Sequence, residues 1–259
     1  MAAYFVTATG ADLGKTFVTS GLIRYLRSAG ASAAALKPIV SGYDSSVVET
    51  SDPAVLLKAL GRQVTADEIE SIAPWRFRAP LAPDIAAARE GRSIDFEQLV
   101  GFSRKAIQAA TGMLFIEGVG GIMVPIEGKR TVLDWMAALD IPLLLVVGGY
   151  LGAISHTLTA LDVLAQRKLK IAGIVVSESE RGTVELDDAE RAQQGVVERH
   201  SVWRVERVAG LGRQELAKPV SPRSWQHSAL VYLPATLGLQ RSRRLFQVDH
   251  HLRRCPATR

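Results

Sequence analysis

The sequence predicts an α/β fold in which a parallel β-sheet carries helices on both faces. Apolar runs of strand length alternate with helical patterns along residues 1–180. Those runs are apolar throughout, as in strands that are buried on both sides. A glycine-rich loop follows the first run, at the point where the first helical pattern begins. This alternation is typical of parallel sheets whose strands are joined by crossover helices.

The glycine-rich loop has the composition of a phosphate-binding loop. It contains the sequence Thr9-Gly10-Ala11-Asp12-Leu13-Gly14-Lys15-Thr16. Backbone N–H groups of such a loop can surround phosphate oxygens at the positive end of the following helix. Lys15 would then bind the outer phosphates, and the Thr16 hydroxyl would ligate Mg²⁺. The common pattern has glycine at the position of Thr9, so an ordinary strand–helix turn remains the alternative. We therefore predict a P-loop NTPase-like sheet.

The other elements of residues 1–180 follow from periodicity and from helix-terminating residues. A helix over 15–29 should end at Gly30, and Asp52 before Pro53 predicts a helix N-cap. Residues 72–83, rich in proline and aromatic side chains, are predicted to form an ordered loop. Further helices are predicted at 84–89, 95–111, 131–139 and 152–166, and strands at 33–36, 113–116, 141–148 and 171–176.

Composition separates a patterned domain from a basic tail. The net charge is +5, but residues 1–180 hold 17 basic against 18 acidic side chains, and residues 181–259 hold 14 against 8. In the tail only 187–199 and 229–233 resemble a helix and a strand. We predict a domain at 1–180 and a poorly patterned tail at 181–259. Because composition and charge change together there, our hypothesis is that the tail is a non-native reading frame, in which case the sheet would lack its last strand. Arginines and two tryptophans in the tail are a weak nucleic-acid signal, so a nucleic-acid partner is not expected.

Several classes of protein are disfavoured by composition. There is no apolar run of about 18 residues, which a membrane span would need. The N-terminus lacks the pattern of a signal peptide. Cys255 is the single cysteine, which excludes an internal disulfide framework, and no Cys/His cluster has metal-ligand spacing. A cytoplasmic protein is the expectation.

Charged residues follow three of the predicted strands, where an open parallel sheet binds ligands. Lys15 and Thr16 follow the first strand, Lys37 follows the second, and Glu117 follows 113–116. A carboxylate that ends a buried strand is costly unless it is paired or ligates a cation, and Mg²⁺ suits a phosphate site. The alternatives are a solvated Lys37 and a Glu117 that caps its glycine turn. For His156 we expect a ring nitrogen that is satisfied on its own helix.

Two glycine-containing segments downstream of the phosphate loop are the most specific motifs of the chain: Lys37-Pro38-Ile39-Val40-Ser41-Gly42 and Glu117-Gly118-Val119-Gly120-Gly121. Ser51-Asp52, Leu133-Asp134-Trp135 and residues 151–156 accompany them. Together with the phosphate loop, these motifs resemble one family, the dethiobiotin synthetases, over about residues 4–177.

The resemblance implies an ATP- and Mg²⁺-dependent ligase of biotin biosynthesis that works as a homodimer. Such an enzyme joins CO₂ or bicarbonate to 7,8-diaminopelargonate through a carbamate and a carbamic-phosphoric mixed anhydride, and so closes the cyclic urea of dethiobiotin. The reaction brings two anions together. A metal ion and two lysines would neutralise their repulsion.

The resemblance also implies roles for individual residues. Lys15 and Lys37 would be catalytic, and Thr16, Asp52 and Glu117 would bind the metal, which competes with the N-cap prediction for Asp52. Ser177 stands where the family has an adenine-reading asparagine, and Ser155 also replaces an asparagine. The residues implied to contact the nucleotide are Asp12, Leu13, Gly14, Lys15, Thr16, Asp52, Glu117, Gly118, Gly120 and Ser177. Those implied to contact the substrate are Ser41, Gly118 and Ser155. Residues 151–155 of a second subunit would complete the substrate site.

Two other functions remain open. The first is that of a partitioning-type or other P-loop ATPase, although partitioning ATPases carry a further lysine five residues before the loop lysine, where this chain has Gly10. A catalytically inactive nucleotide-binding remnant is the other alternative. An assay for dethiobiotin formation would separate both from the ligase.

Overall fold

The computed structural model describes residues 2–177 and the backbone of residues 202–205. Its helices are α1 Lys15–Ser28, α2 Asp52–Ala59, α3 Ala66–Ile72, α4 Pro83–Arg89, α5 Phe96–Ala109, α6 Val132–Leu139 and α7 Ala153–Gln166. Its strands are β1 Ala2–Ala8, β2 Ala33–Leu36, β3 Ile39–Ser41, β4 Trp75–Phe77, β5 Met113–Glu117, β6 Pro125–Glu127, β7 Arg130–Thr131, β8 Leu143–Gly148, β9 Ile171–Ser177 and β10 Val202–Val205.

In the described part of the chain, six strands form one parallel sheet in the order β10-β9-β8-β1-β5-β2. Strand β1 lies in its interior, with Phe5 in register with Ile116 of β5 and with Leu143 of β8. After β1, the chain forms the edge strand β2 and then returns to place β5 between β2 and β1. The later strands β8, β9 and β10 are added on the other side of β1. The strand order therefore reverses at β1, and the loop after it opens where such sheets bind ligands.

Helices cover both faces of the sheet, as predicted. All six residues of β8 are buried, and because successive side chains of a strand point to opposite faces, both faces are covered. Helix α1 packs against α2, and α5 packs against α6. The Phe5 ring meets Trp135 of α6 edge-on at 4.8 Å between centroids. The Trp135 indole N–H donates to the buried Ser103 hydroxyl at 3.2 Å, which explains a serine on the apolar face of α5.

The prediction that residues 72–83 form only an ordered loop is wrong. Strand β4 lies within this stretch and pairs in parallel with β3, with Ile39 opposite Trp75 and Ser41 opposite Phe77. Helix α3, which ends at Ile72, was not predicted either. A strand of three residues between two prolines is too short to show a period. The pairing matters because it fixes Ser41 at the end of β3.

The prediction that the sheet lacks its final strand is also wrong. The backbone of β10 pairs in parallel with β9, with Val202 opposite Ile174 and Val205 opposite Ser177. The predicted helix at 187–199 and strand at 229–233 lie outside the described residues. The domain boundary at 180 and the origin of the tail remain predictions. Among the helices that the structure describes, none is long and apolar enough to cross a bilayer.

Candidate nucleotide and metal site

The loop between β1 and α1 has a backbone that suits phosphate binding. Asp12 and Gly14 both adopt left-handed conformations, with φ of 56° and 85°. Glycine takes this conformation at little cost, whereas aspartate needs support from its surroundings. Helix α1 begins at Lys15, and no side chain caps its N-terminus. The first N–H groups of this 14-residue helix are therefore left for an anion.

Lys15 is buried and lies between two glycine-containing loops. Its ammonium donates to the carbonyl oxygen of Gly120 at 2.8 Å and to that of Gly10 at 3.3 Å. Burial, and to a smaller extent the charge of Lys37, lower the pKa of Lys15 to about 8. Glu117, Asp52 and Asp12 oppose these effects. The lysine thus occupies an environment that would favour its charged form more strongly once an anion is bound.

Glu117 is the centre of the polar contacts at the strand ends. Its side chain is fully buried, and its Oε1 accepts hydrogen bonds from Thr16 Oγ1 at 2.6 Å and from Lys37 Nζ at 2.8 Å. Lys37 also donates to the carbonyl oxygen of Gly118 at 2.6 Å. The second carboxylate oxygen, Oε2, has no hydrogen-bond partner among the described residues. A buried carboxylate oxygen without a donor is stabilised by a cation.

Asp52 does not cap its own helix, so the N-cap prediction is wrong. The cap is Ser51, whose hydroxyl accepts from the Ala54 N–H at 3.4 Å, and Asp52 is the first residue of α2. The Asp52 carboxylate lies 3.9 Å from Lys37 Nζ and is 29% exposed. A serine directly before Asp-Pro was the signal that could have identified the cap. The carboxylate of Asp52 is consequently oriented towards the charged cluster.

These side chains suit a magnesium ion. The hydroxyl of Thr16 and the carboxylates of Glu117 and Asp52 are hard oxygen ligands, which Mg²⁺ prefers. No three His, Cys, Asp or Glu side chains of the described residues form a metal-binding group. Mg²⁺ in nucleotide sites commonly uses one or two carboxylates and completes its shell with phosphate oxygens and water. The unpartnered Oε2 of Glu117 fits this kind of site.

The glycine segment after β5 packs directly against the phosphate loop. The Gly118 N–H donates to the Val6 carbonyl at 2.9 Å, and a Cβ atom at Gly118 would lie 2.9 Å from the Phe5 ring. A Cβ at Gly121 would come within 3.2 Å of the Thr9 carbonyl oxygen. Side chains at these positions would separate the two segments. Glycine therefore allows the backbone carbonyls of 118 and 120 to reach the two lysines.

Three serines of the predicted site lie at other points of the same fold. Ser41 is half-buried at the end of β3, and Ser177 is fully buried at the end of β9. Neither hydroxyl has a hydrogen-bond partner among the residues that the structure describes. Ser155 is exposed in the first turn of α7. The structure brings Thr16, Lys37, Asp52, Glu117 and Gly118 into one cluster of contacts, and Lys15 bonds separately to Gly120 of the same glycine segment.

Tyr150 and His156 lie near the phosphate loop, and no functional role was predicted from the sequence for either of them. The Tyr150 hydroxyl lies 2.7 Å from His156 Nδ1, and their ring centroids are 5.7 Å apart. The prediction that a ring nitrogen of His156 is satisfied is confirmed. Its partner, however, lies in the loop before α7, and the imidazole is exposed.

A parallel sheet with a phosphate loop, a buried loop lysine and a carboxylate at a neighbouring strand end defines a P-loop nucleotide-binding protein. The model of the AAA domain family matches residues 2–217. The ATP-dependent dethiobiotin synthetase BioD of Acidiphilium cryptum is 48% identical over 181 residues, which cover 70% of this chain and 81% of that protein. The corresponding protein of Phenylobacterium zucineum is 49% identical, over 69% of this chain and 77% of its own length.

The chain belongs to the dethiobiotin synthetase family, and is an ATP-dependent ligase of biotin synthesis. Among solved structures, the MinC:MinD cell division protein complex of Aquifex aeolicus is similar with a TM-score of 0.53 at 11% identity, covering 85% of this chain and 87% of that one. At this identity the similarity concerns the fold alone. It agrees with the P-loop sheet described above.

Proposed function

We propose that this protein closes the cyclic urea of dethiobiotin from 7,8-diaminopelargonate and CO₂, with cleavage of ATP to ADP and phosphate. The observation that carries the proposal is the arrangement around Glu117. Its Oε1 accepts hydrogen bonds from Thr16 and Lys37, and its Oε2 has no hydrogen-bond donor among the described residues. This unpartnered oxygen supports a cation site beside Lys37 and next to the phosphate loop.

The chemistry requires two anions to approach each other. One amine of the substrate adds to CO₂ and loses a proton, which gives a carbamate. A carbamate oxygen then attacks the γ-phosphorus, and the bond from that phosphorus to the ADP oxygen breaks. The second amine attacks the carbonyl carbon of the resulting mixed anhydride and loses a proton, and phosphate leaves as the ring closes. Holding both amines near the carbonyl supplies the proximity that ring closure needs.

Some residues of the chain would neutralise charge in this reaction, and others would hold the nucleotide and the substrate in position. Lys15 would bind the outer phosphates, and Lys37 would lie between the carbamate and the γ-phosphate. Thr16, Asp52 and Glu117 would hold Mg²⁺, which when bound stabilises charge on the phosphates. The backbone of Asp12, Leu13, Gly14 and Gly120 would surround phosphate oxygens. Ser177 would contact the nucleotide base, and Ser41, Gly118 and Ser155 would contact the substrate.

We also propose that the protein works as a homodimer, with residues 151–155 of one subunit completing the site of the other. Three apolar side chains around the start of α7 support this proposal. Leu151 is 83% exposed, Ile154 37% and Leu158 36%. Light scattering of the full chain should show a dimer. Leu151→Asp should shift it towards the monomer and lower ligase activity, whereas the exposed Ile85→Asp, on α4, should leave the dimer intact.

The decisive experiment measures dethiobiotin formed from diaminopelargonate, labelled bicarbonate, ATP and Mg²⁺. We expect labelled product and one ADP for each dethiobiotin, and no product when the metal is removed with EDTA. ADP binding, measured by calorimetry on the same preparation, shows that the protein is folded and competent for nucleotide. ADP binding without any dethiobiotin would contradict the proposed reaction and favour a nucleotide-binding remnant.

A further inference from the structure

Leu13 of the phosphate loop lies next to the segment that follows β8. A Cβ atom at Gly148 would lie 2.7 Å from Cδ1 of Tyr150 and 3.0 Å from Cδ2 of Leu13. The Tyr150 ring and the Leu13 side chain therefore converge on the same side of Gly148. The Thr9 N–H also donates to the Val146 carbonyl at 3.2 Å. The last residues of β8 thus contact the phosphate loop both at its beginning and at Leu13.

Leu13 is the buried side chain of an otherwise accessible loop. It is 7% exposed, whereas Ala11 and Asp12 beside it are exposed. It lies between Asp12 and Gly14, the two residues with left-handed backbones. Such a conformation at an aspartate costs free energy and persists only where the surroundings impose it. Leu13 lies beside the segment of Gly148 and Tyr150, which would supply such support.

Tyr150 is in turn fixed by the first turn of α7. Its hydroxyl lies 2.7 Å from His156 Nδ1, and its carbonyl oxygen accepts from the Ala153 N–H at 2.9 Å. The ring is therefore held at its hydroxyl end by a side chain and at its backbone end by the start of the helix.

We infer that Tyr150 and His156 are positioning residues, which hold Leu13 and so keep the phosphate loop in its nucleotide-binding conformation. The inference rests on the proposed role of residues 9–16 in phosphate binding. Loss of the Tyr150–His156 hydrogen bond would free the ring to rotate away from Leu13. The loop would then sample other conformations, and nucleotide would have to order it on binding.

The test uses ADP binding to the full chain, measured by calorimetry, with thermal unfolding recorded for each variant. Tyr150→Phe keeps the ring and removes the hydroxyl, and His156→Leu removes the partner nitrogen. A single hydrogen bond accounts for roughly a three- to tenfold loss of ADP affinity in each variant. The double variant should lose no more than either single one, because both remove the same bond. His156→Asn, whose amide oxygen can occupy the position of Nδ1, should restore most of the affinity.

Gln166→Leu is the matched control, since it removes an exposed hydrogen bond to Asp162 at the far end of the same helix. Its ADP affinity should equal that of the wild type. Unchanged ADP affinity in Tyr150→Phe and His156→Leu, or additive losses in the double variant, would overturn the inference while leaving the proposed function intact. A wild-type protein that binds no ADP would contradict the proposed function together with the inference.

Discussion

The ammonium of Lys37 donates to Oε1 of Glu117 at 2.8 Å, and the two side chains are only 4% and 0% exposed. The sheet register explains why they meet. Leu36 of β2 lies opposite Ile116 of β5, so that Lys37, directly after β2, comes beside Glu117, the last residue of β5. Each of these charges would be very costly alone in this position. The pair therefore serves both the fold and the proposed chemistry.

Lys37→Met should abolish dethiobiotin formation and also destabilise the protein. It leaves the buried Glu117 carboxylate with the Thr16 hydroxyl as its remaining side-chain donor among the described residues. Removing one partner of a buried ion pair costs roughly 3–5 kcal/mol. Urea unfolding in EDTA should show a loss of this order. The double variant Lys37→Met/Glu117→Gln should recover much of the stability but none of the activity, because the buried negative charge is gone.

Lys58→Met is the matched control for the removal of a lysine from an ion pair. Lys58 pairs with Glu49, which is 66% exposed. Pairs of this kind contribute about 0–1 kcal/mol. The control should therefore unfold almost as the wild type does and keep its activity. If Lys37→Met proved equally harmless in EDTA, the Lys37–Glu117 pair would have no structural role.

Asp52→Asn should weaken metal binding with little effect on stability. Its carboxylate points towards Lys37, and the neighbouring Ser51 caps the helix. We expect Mn²⁺ binding to the ADP complex, followed by electron paramagnetic resonance, to weaken by at least about tenfold. Ser51→Ala should do the opposite: a loss of about 0.5–1 kcal/mol in unfolding free energy and unchanged Mn²⁺ affinity. The reverse pattern would assign the carboxylate to the helix cap.

Much of the fold could be predicted from the sequence because its signals are local. The buried strands are continuous apolar runs, and the end of α1 follows from Gly30, whose φ is 76°. The phosphate loop and Glu117 were found because charge and glycine at a strand end are unusual. These features depend on residues that are close together in the chain.

The sequence could not predict features that depend on pairing or on distant contacts. Strand β4 is formed by pairing with β3. Its three residues are too few to show the alternation of apolar and polar side chains that identifies a strand in a sequence. Strand β10 lies in a region whose composition differs from that of the domain, yet its backbone pairs with β9. The proximity of Tyr150 to Leu13 results from the order of strands in the sheet. No motif or spacing in the sequence indicates that Tyr150 and Leu13 lie close together.

Nucleotide affinity should fall as the pH rises through about 8. The pKa of Lys15 is lowered to about 8 by burial and by Lys37, so the free protein loses this positive charge above that pH. A bound phosphate favours the charged form and raises the pKa, so that binding above about pH 8 takes up a proton. Calorimetry in buffers of different ionisation enthalpy, from about pH 7.5 to 9.5, measures that proton.

Lys15→Gln provides the control for this pH dependence. The variant should bind ADP more weakly at neutral pH, because one charge–phosphate contact is lost. Its affinity should change much less between about pH 7.5 and 9.5, because residue 15 no longer titrates. An identical pH profile in the wild type and in Lys15→Gln would show that another group controls binding.

Ser177→Ala should separate a nucleotide contact from a structural role. The Ser177 hydroxyl is buried at the end of β9 without a hydrogen-bond partner in the described part of the chain. Its removal should leave the unfolding free energy of the nucleotide-free protein unchanged or slightly raised. If the hydroxyl contacts the base, ATP affinity should fall by roughly three- to tenfold.

Ser103→Ala is the control, because Ser103 is an equally buried serine whose hydroxyl bonds to Trp135 and to the Leu99 carbonyl. It should lower the unfolding free energy by about 1–3 kcal/mol and leave ATP affinity unchanged. Ser177→Asn should increase the preference for ATP over GTP, since an amide offers a donor and an acceptor where the hydroxyl makes a single contact. Equal discrimination in Ser177→Asn and the wild type would place the base elsewhere.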